Sequence, residues 1–247
     1  MSSFPDGVPV AGDERELGIL DHGSVELLGQ IARSSNETFL VEVSDPAEGD
    51  EKTWAIYKPE LGEQPLWDFE PGLYRRERAA YLLSAALGWD LVPATVVRED
   101  APFGVGSLQW FVECNLAEHY FTLIEDFPQT HDELRRMALF DVVTNNTDRK
   151  AGHVLRGTDG RIWGIDHGLC FSAPFKLRTV IWDFGGEPVD EALLDDIAPL
   201  AEEVPAEVAE LLDDTEVRAI RERVQGLLMR RTLPVDRTGR RFPWPLI

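Results

Sequence analysis

The sequence predicts an α+β fold in two lobes, a small β-rich N-terminal lobe with one helix followed by a mainly helical C-terminal lobe. Three observations predict it. Residues 24–112 read as three strands, one helix and two strands with no internal repeat, and beyond Glu113 the pattern turns helical. A chain of 247 residues, 43% of them hydrophobic, is also long enough for one substantial core or two small ones, since domains commonly run to roughly 100–200 residues. The lobes are therefore placed at 24–113 and 114–247. Residues 1–23, rich in Gly, Pro and acids without sustained periodicity, are expected to be a flexible or loosely docked arm.

The elements follow in order. Ser24–Ile31 and Glu37–Val43 are β-rich runs that form a hairpin across Ala32–Asn36, and Asp45–Glu51 is an acidic turn. Thr53–Pro59 is a third strand whose ladder Pro59 ends. Tyr74–Leu87 has helical spacing, with Ala79, Ala80, Leu83 and Leu87 on one side and Gly88 as its stop. Leu91–Glu99 and Ser107–Val112 complete the small lobe. In the large lobe, Thr130-His131-Asp132-Glu133 reads as a capping box opening a helix to about Val143. Asn145–Lys150 is a loop, and His153–Arg156 with Arg161–Ile165 is a hairpin turned by Thr158-Asp159-Gly160. Val189–Ile197, Ala206–Leu212 and Thr215–Met229 are closing helices, and Phe242-Pro243-Trp244-Pro245 cannot be helical.

Charge and composition narrow the partners. A formal net charge of −21 repels nucleic acid and disfavours unaided docking on an anionic bilayer, although it also serves simply as a soluble surface. No apolar run approaches the roughly 20 residues of a membrane helix, and the N-terminus lacks a signal-like core, so a cytoplasmic protein without stable membrane insertion is expected. Cys114 and Cys170 are too few for a disulfide framework and too far apart for a zinc site, and are read as reduced structural thiols.

Three places carry candidate chemistry. Lys58 closes an otherwise apolar strand, where its ammonium must reach solvent, an acid or a phosphate. Glu77, in the first turn of the following helix, either pairs with it or simply suits the helix dipole; a strand lysine braced by a helix glutamate is how kinases hold ATP phosphates. In Asn145-Asn146-Thr147-Asp148-Arg149-Lys150, Asp148 is a candidate base for an acceptor hydroxyl, with Arg149 and Lys150 neutralising charge on a transferring phosphoryl group. The same residues are ordinary turn formers. Asp166, at the end of the apolar strand Ile162–Ile165 and followed by His167-Gly168, is placed to hold Mg²⁺ against phosphates or, alternatively, to form a turn.

Taken together, these motifs resemble the phosphatidylinositol kinase-like group of the kinase fold, within it a set of actinobacterial proteins, and the loop at 145–153 resembles that of the HipA-type serine/threonine kinases. The resemblance covers Ser24 to Phe171. It implies a protein-kinase-like fold and an ATP-dependent phosphotransferase acting on a protein or small-polyol hydroxyl, with ATP and Mg²⁺ or Mn²⁺ as cofactors. Lys58 would contact ATP phosphates, Glu77 would brace it, Ser34 and Ser35 would cover the phosphates, and Gln109, Phe111, Val112 and Glu113 would form the adenine hinge. Asp148 would be catalytic and Asp166 would bind metal. In the position five residues after Asp148, where the family pattern has a metal-binding asparagine, this chain has His153. Imidazole is a poor magnesium ligand and a better one for manganese or zinc, so either His153 coordinates manganese, or Asn146 substitutes for the asparagine, or the change marks a nucleotide-binding pseudokinase that acts as an interaction module. Nucleotidylation of a protein hydroxyl is a third use of the same fold, and a membrane phosphoinositide is disfavoured by charge. Lys176 and Arg178 lie where an activation-loop contact would fall.

Overall fold

Alternation at period two dictates the first lobe. In the computed structural model, which describes residues 14–32, 36–45 and 51–247, strands β1 (Ser24–Gln30), β2 (Phe39–Asp45), β3 (Glu51–Pro59), β4 (Thr95–Arg98) and β5 (Gly106–Trp110) form one antiparallel sheet in the order β1-β2-β3-β5-β4. Val41, Ala55, Tyr57, Leu108 and Val96 are buried on one face. Successive side chains alternate, so Ile56 and Lys58 project to the other face, where helix α2 (Leu73–Ala86) lies. The β1–β2 register shifts between Leu27 and Gly29, a bulge beyond which Gly29 and Gln30 still pair with Leu40 and Phe39.

The stretch expected to be an arm differs from that expectation. Glu14–His22 is a helix, α1, which packs on β2, β4 and β5 and buries Ile19 and Leu20. Arg98 at the end of β4 fixes its C-terminus by donating to the carbonyls of Leu20 (2.7 Å) and Gly23 (3.0 Å). Gly18 and four charged residues, Glu14, Arg15, Glu16 and Asp21, break the apolar period, which is why the helix is hard to read from sequence. Residues 1–13 lie outside the described residues.

The second lobe holds α3 (Tyr120–Asp126), α4 (His131–Thr144), the hairpin β6 (Val154–Arg156) and β7 (Ile162–Gly164), then α5 (Glu191–Ile197), α6 (Ala206–Ala209) and α7 (Asp214–Arg230). The hairpin turns at Asp159-Gly160 as expected, with Gly160 at φ 85°. The capping box expected at Thr130 does not form: Pro128–Thr130 is a 3₁₀ turn, and the Thr130 hydroxyl donates to the Phe127 carbonyl (2.8 Å). A capping box forms instead at α7, where the Asp213 carboxylate accepts from the Thr215 and Glu216 N–H groups and Glu216 accepts from Asp213 N–H.

Contacts from α2 help to tie the lobes. Arg76 on α2 reaches Glu216 on α7 (2.6 Å) and the Cys170 carbonyl (2.8 Å), so α2 is held from the large lobe. The C-terminal segment is fastened within the second lobe: Thr179 N–H donates to the Arg241 carbonyl (3.1 Å) and Ala151 N–H to that of Leu246 (2.8 Å).

Candidate active site

The lysine that ends β3 meets acids from both lobes. Lys58 Nζ lies 2.5 Å from Glu77 Oε1 on α2 and 2.8 Å from Asp166 Oδ1 just after β7. Burial works against its charge, but the Asp166 and Glu77 carboxylates outweigh burial and raise its pKa. Glu77 is buried, and its other oxygen accepts from His167 N–H (2.8 Å), so one carboxylate fixes the ammonium and the backbone beside Asp166 together.

Asp166 adopts φ 61°, a left-handed conformation that non-glycine residues occupy at a cost of order 1–3 kcal/mol and that gathers at functional sites. The twist turns its carboxylate toward Lys58 and, through Oδ2, toward His153 Nε2 at 3.2 Å. Burial opposes ionisation of Asp166, yet Lys58 and His153 hold its carboxyl well below the usual range. His153 is pushed down to about 4 by burial, with Asp166 opposing, so its imidazole is neutral at pH 7.

Asp148 sits on the loop after α4. Asn145, at φ 51°, ends that helix, and its side chain bonds the Ser172 and Pro174 carbonyls and Lys176 N–H, which fastens the loop to the 172–176 segment. Asn146 is buried, accepting from Asp148 N–H (3.0 Å) and donating to Asp141 (3.1 Å), so its amide is committed to shaping the loop. Asp148 Oδ2 pairs with Lys150 Nζ at 2.8 Å. Burial raises the Asp148 pKa while Lys150 opposes, the direction that suits a general base.

The structure corrects the expectation for Arg149. Its side chain is fully buried and faces away from the cleft, paired with the equally buried Asp141 (2.9 Å). The guanidinium also donates to the carbonyls of Ile165 (2.8 Å) and His153 (3.2 Å), and lies 2.8 Å from His167 Nε2. Burial and Arg149 hold His167 neutral, so its Nε2 accepts this bond. Arg149 thus binds the loop, the hairpin and the strand end that carry Asp148, His153 and Asp166, and cannot neutralise a phosphoryl group. Asp141, a lone carboxylate in the apolar run Leu139–Val143, is the partner that sequence reasoning left without a role. A buried acid in such a run needs a cation, and that was the available signal.

The expected hinge is corrected in part. Gln109 lies inside β5, paired to Ile56 and Thr95 on either side, and its buried amide donates to Thr95 Oγ1 (2.9 Å). It belongs to the sheet rather than to a linker. Phe111 N–H donates to the Trp54 carbonyl (3.2 Å), and the Glu113 carbonyl accepts from Thr158 N–H (2.9 Å), so these groups are spent within the protein. Ser34 and Ser35 lie outside the described residues. The tripeptide Asp183-Phe184-Gly185 matches the one with which protein kinases hold Mg²⁺, but here Asp183 accepts from Tyr120 Oη at 2.5 Å.

Lys58, Glu77, Asp148 and Asp166 line one cleft together with Asn36, Glu37 and Glu63. Five of these seven are carboxylates against a single ammonium, so an anionic ligand enters this cleft favourably only with accompanying cations. Among the described residues no three of His, Cys, Asp and Glu converge as a ready metal site. Asp166 Oδ2 and His153 Nε2 meet at 3.2 Å, and His153 Nδ1 accepts from Lys150 N–H.

Comparison with known proteins places these elements. The family model described as phosphatidylinositol 3- and 4-kinase matches residues 78–222, a span that includes Asp148, His153 and Asp166 and begins directly after Glu77. A Mycobacterium tuberculosis protein called Protein Rv2133c is 38% identical over 97% of this chain and 98% of its own length. The rice (Oryza sativa subsp. japonica) phosphatidylinositol 4-kinase gamma 4 is 30% identical over 53% of this chain, and the Arabidopsis thaliana phosphatidylinositol 4-kinase gamma 3 is 31% identical over 42%. The matched regions make up 29% and 19% of those two plant proteins.

Proposed function

We propose that this chain, which belongs to the phosphatidylinositol 3- and 4-kinase family, is an ATP-dependent phosphotransferase that moves the γ-phosphate to a hydroxyl of a protein or small polyol. The observation that carries this reading is the Lys58 ammonium held between Glu77 and Asp166 in a cleft that Asp148 also lines. In this reading Lys58 binds the α- and β-phosphates with Glu77 as its brace, and covering the phosphates is the role left to Ser34 and Ser35. Phe111, Val112 and Glu113 hold the adenine, the bonds already made by Phe111 and Glu113 leaving Val112 as the main backbone contact. Asp148 takes the proton from the acceptor hydroxyl as its oxygen attacks the γ-phosphorus and the bond to the β-phosphate oxygen breaks. Lys150, beside Asp148, offsets charge on the transferring group. The lobes divide at Glu113.

Asp166 and His153 hold the divalent cation, which supplies charge neutralisation on the phosphates when bound. A carboxylate with a neutral imidazole suits manganese better than magnesium. No described helix is long and apolar enough to cross a membrane, and we read the chain as working in the cytoplasm.

A second reading, a pseudokinase that binds nucleotide and serves as an interaction module, is favoured by His153 in the asparagine position. His153→Asn separates the two. If an oxygen donor is what magnesium lacks, ATP turnover with magnesium should rise about tenfold in the variant while the manganese rate changes little. Nucleotide binding by both forms without turnover under either metal would favour the pseudokinase.

A further inference from the structure

Between β3 and α2 the chain makes a short 3₁₀ turn, Glu60–Gly62, followed by Glu63 and Gln64, and this turn touches both walls of the cleft. On one side, Glu37 N–H donates to the Gly62 carbonyl (3.0 Å) and Gln64 N–H to Asn36 Oδ1 (2.9 Å), which fastens the end of the β1–β2 connection. On the other, Glu63 Oε2 accepts from Gly72 N–H (2.8 Å) at the start of α2, a helix whose N-cap residue is this glycine and so has no side chain with which to cap it. Glu60 N–H anchors the turn to the Val105 carbonyl ahead of β5 (2.9 Å). Gly62 admits no larger residue: a Cβ there would lie 2.5 Å from Glu37 Cβ and 3.3 Å from its Cα.

From this geometry we infer that the Glu60–Gln64 turn is a positioning element for the nucleotide phosphates, setting the distance between the β1–β2 connection and the α2 N-terminus on either side of Lys58. The inference rests on the phosphotransferase reading and adds residues that reading does not use. Gly62 acts through Glu37 and Asn36, and Glu63 acts through α2, the helix that carries Glu77. A side chain at Gly62 pushes the β1–β2 connection off its seat, and the phosphates lose one wall.

The test is ATP affinity with MnCl₂, measured by titration calorimetry on the full chain, beside the melting temperature of each variant without nucleotide. Gly62→Ala and Asn36→Ala should weaken ATP binding about tenfold or more, the scale of a displacement of roughly 1 Å at a site. The melting temperature of Asn36→Ala should stay close to that of the unmodified chain, while that of Gly62→Ala, whose Cβ crowds Glu37, should fall by a few degrees. Glu63→Ala should weaken binding likewise, whereas Glu63→Gln, which keeps an acceptor for Gly72 N–H, should restore most of it. A merely structural role would lower melting in all four without this split in affinity. If the unmodified chain binds ATP and Gly62→Ala and Asn36→Ala bind it equally well, the positioning role is overturned and the phosphotransferase reading stands. If the unmodified chain binds no ATP under manganese, both fall together.

Discussion

Replacing Arg149 by Met should lower the melting temperature by roughly 10 °C, because it leaves Asp141 as an uncompensated charge in a fully buried site. Breaking a buried pair from one side typically costs about 3–5 kcal/mol, whereas replacing both partners by apolar groups of similar volume is often neutral. The double variant Arg149→Met with Asp141→Leu should therefore recover much of the lost stability. Its cleft should nonetheless perform poorly, since the carbonyls of His153 and Ile165 lose the donor that joins the loop after α4 to the hairpin. Thermal melting of both variants checks the first part. A single variant as stable as the unmodified chain would show that Asp141 is protonated, or solvated by water, and that the pair is not what holds the loop.

Asp148→Asn and Asp166→Asn should both abolish transfer and yet differ in binding. Loss of the base should cut transfer about 10²–10⁴-fold while ATP affinity stays near that of the unmodified chain. Loss of the metal-binding carboxylate should remove transfer and also remove the gain in affinity that manganese confers. Lys58 would keep Glu77 as a partner in the second variant, so its fold should persist. Radiolabelled ATP, followed into the protein itself and into candidate hydroxyl acceptors, reads the first quantity and calorimetry the second. Full activity in both variants would mean that these carboxylates are turn formers and nothing more.

The strands of the small lobe, the site lysine with its glutamate, and the loop and strand-end aspartates were legible because each follows from a local pattern. Tyr57, Lys58 and Pro59 sit on an alternating strand, so a lysine between buried neighbours had to face the opposite side, and Glu77 fell one helical turn into the next element. Arg149 was misread because the direction of a loop side chain depends on a partner eight residues earlier, and no period announces it. The neighbouring Lys150, equally cationic in sequence, is the one that stays beside Asp148. Gln109 was misplaced by a strand boundary, since β5 runs to Trp110 before the chain leaves the sheet. Helix α1 was lost among charges and Gly18, and the capping residues at Thr130 were overridden by the turn that Pro128 begins. The Glu60–Gln64 turn carries no motif at all: its role lies in a backbone approach at Gly62 that only the folded chain displays.

The most direct measurement is thermal melting of the full chain with ATP in the absence of metal, with magnesium and with manganese. A ligand that binds only the folded state must raise the midpoint, by about 2.7 kcal/mol of stability at a hundredfold excess over Kd. A cleft in which carboxylates outnumber ammonium groups among the described residues predicts little rise with ATP alone and a clear rise once a divalent cation is present, larger with manganese than with magnesium. No shift with ATP under any metal would contradict the assignment of Lys58, Asp148 and Asp166 to a nucleotide site.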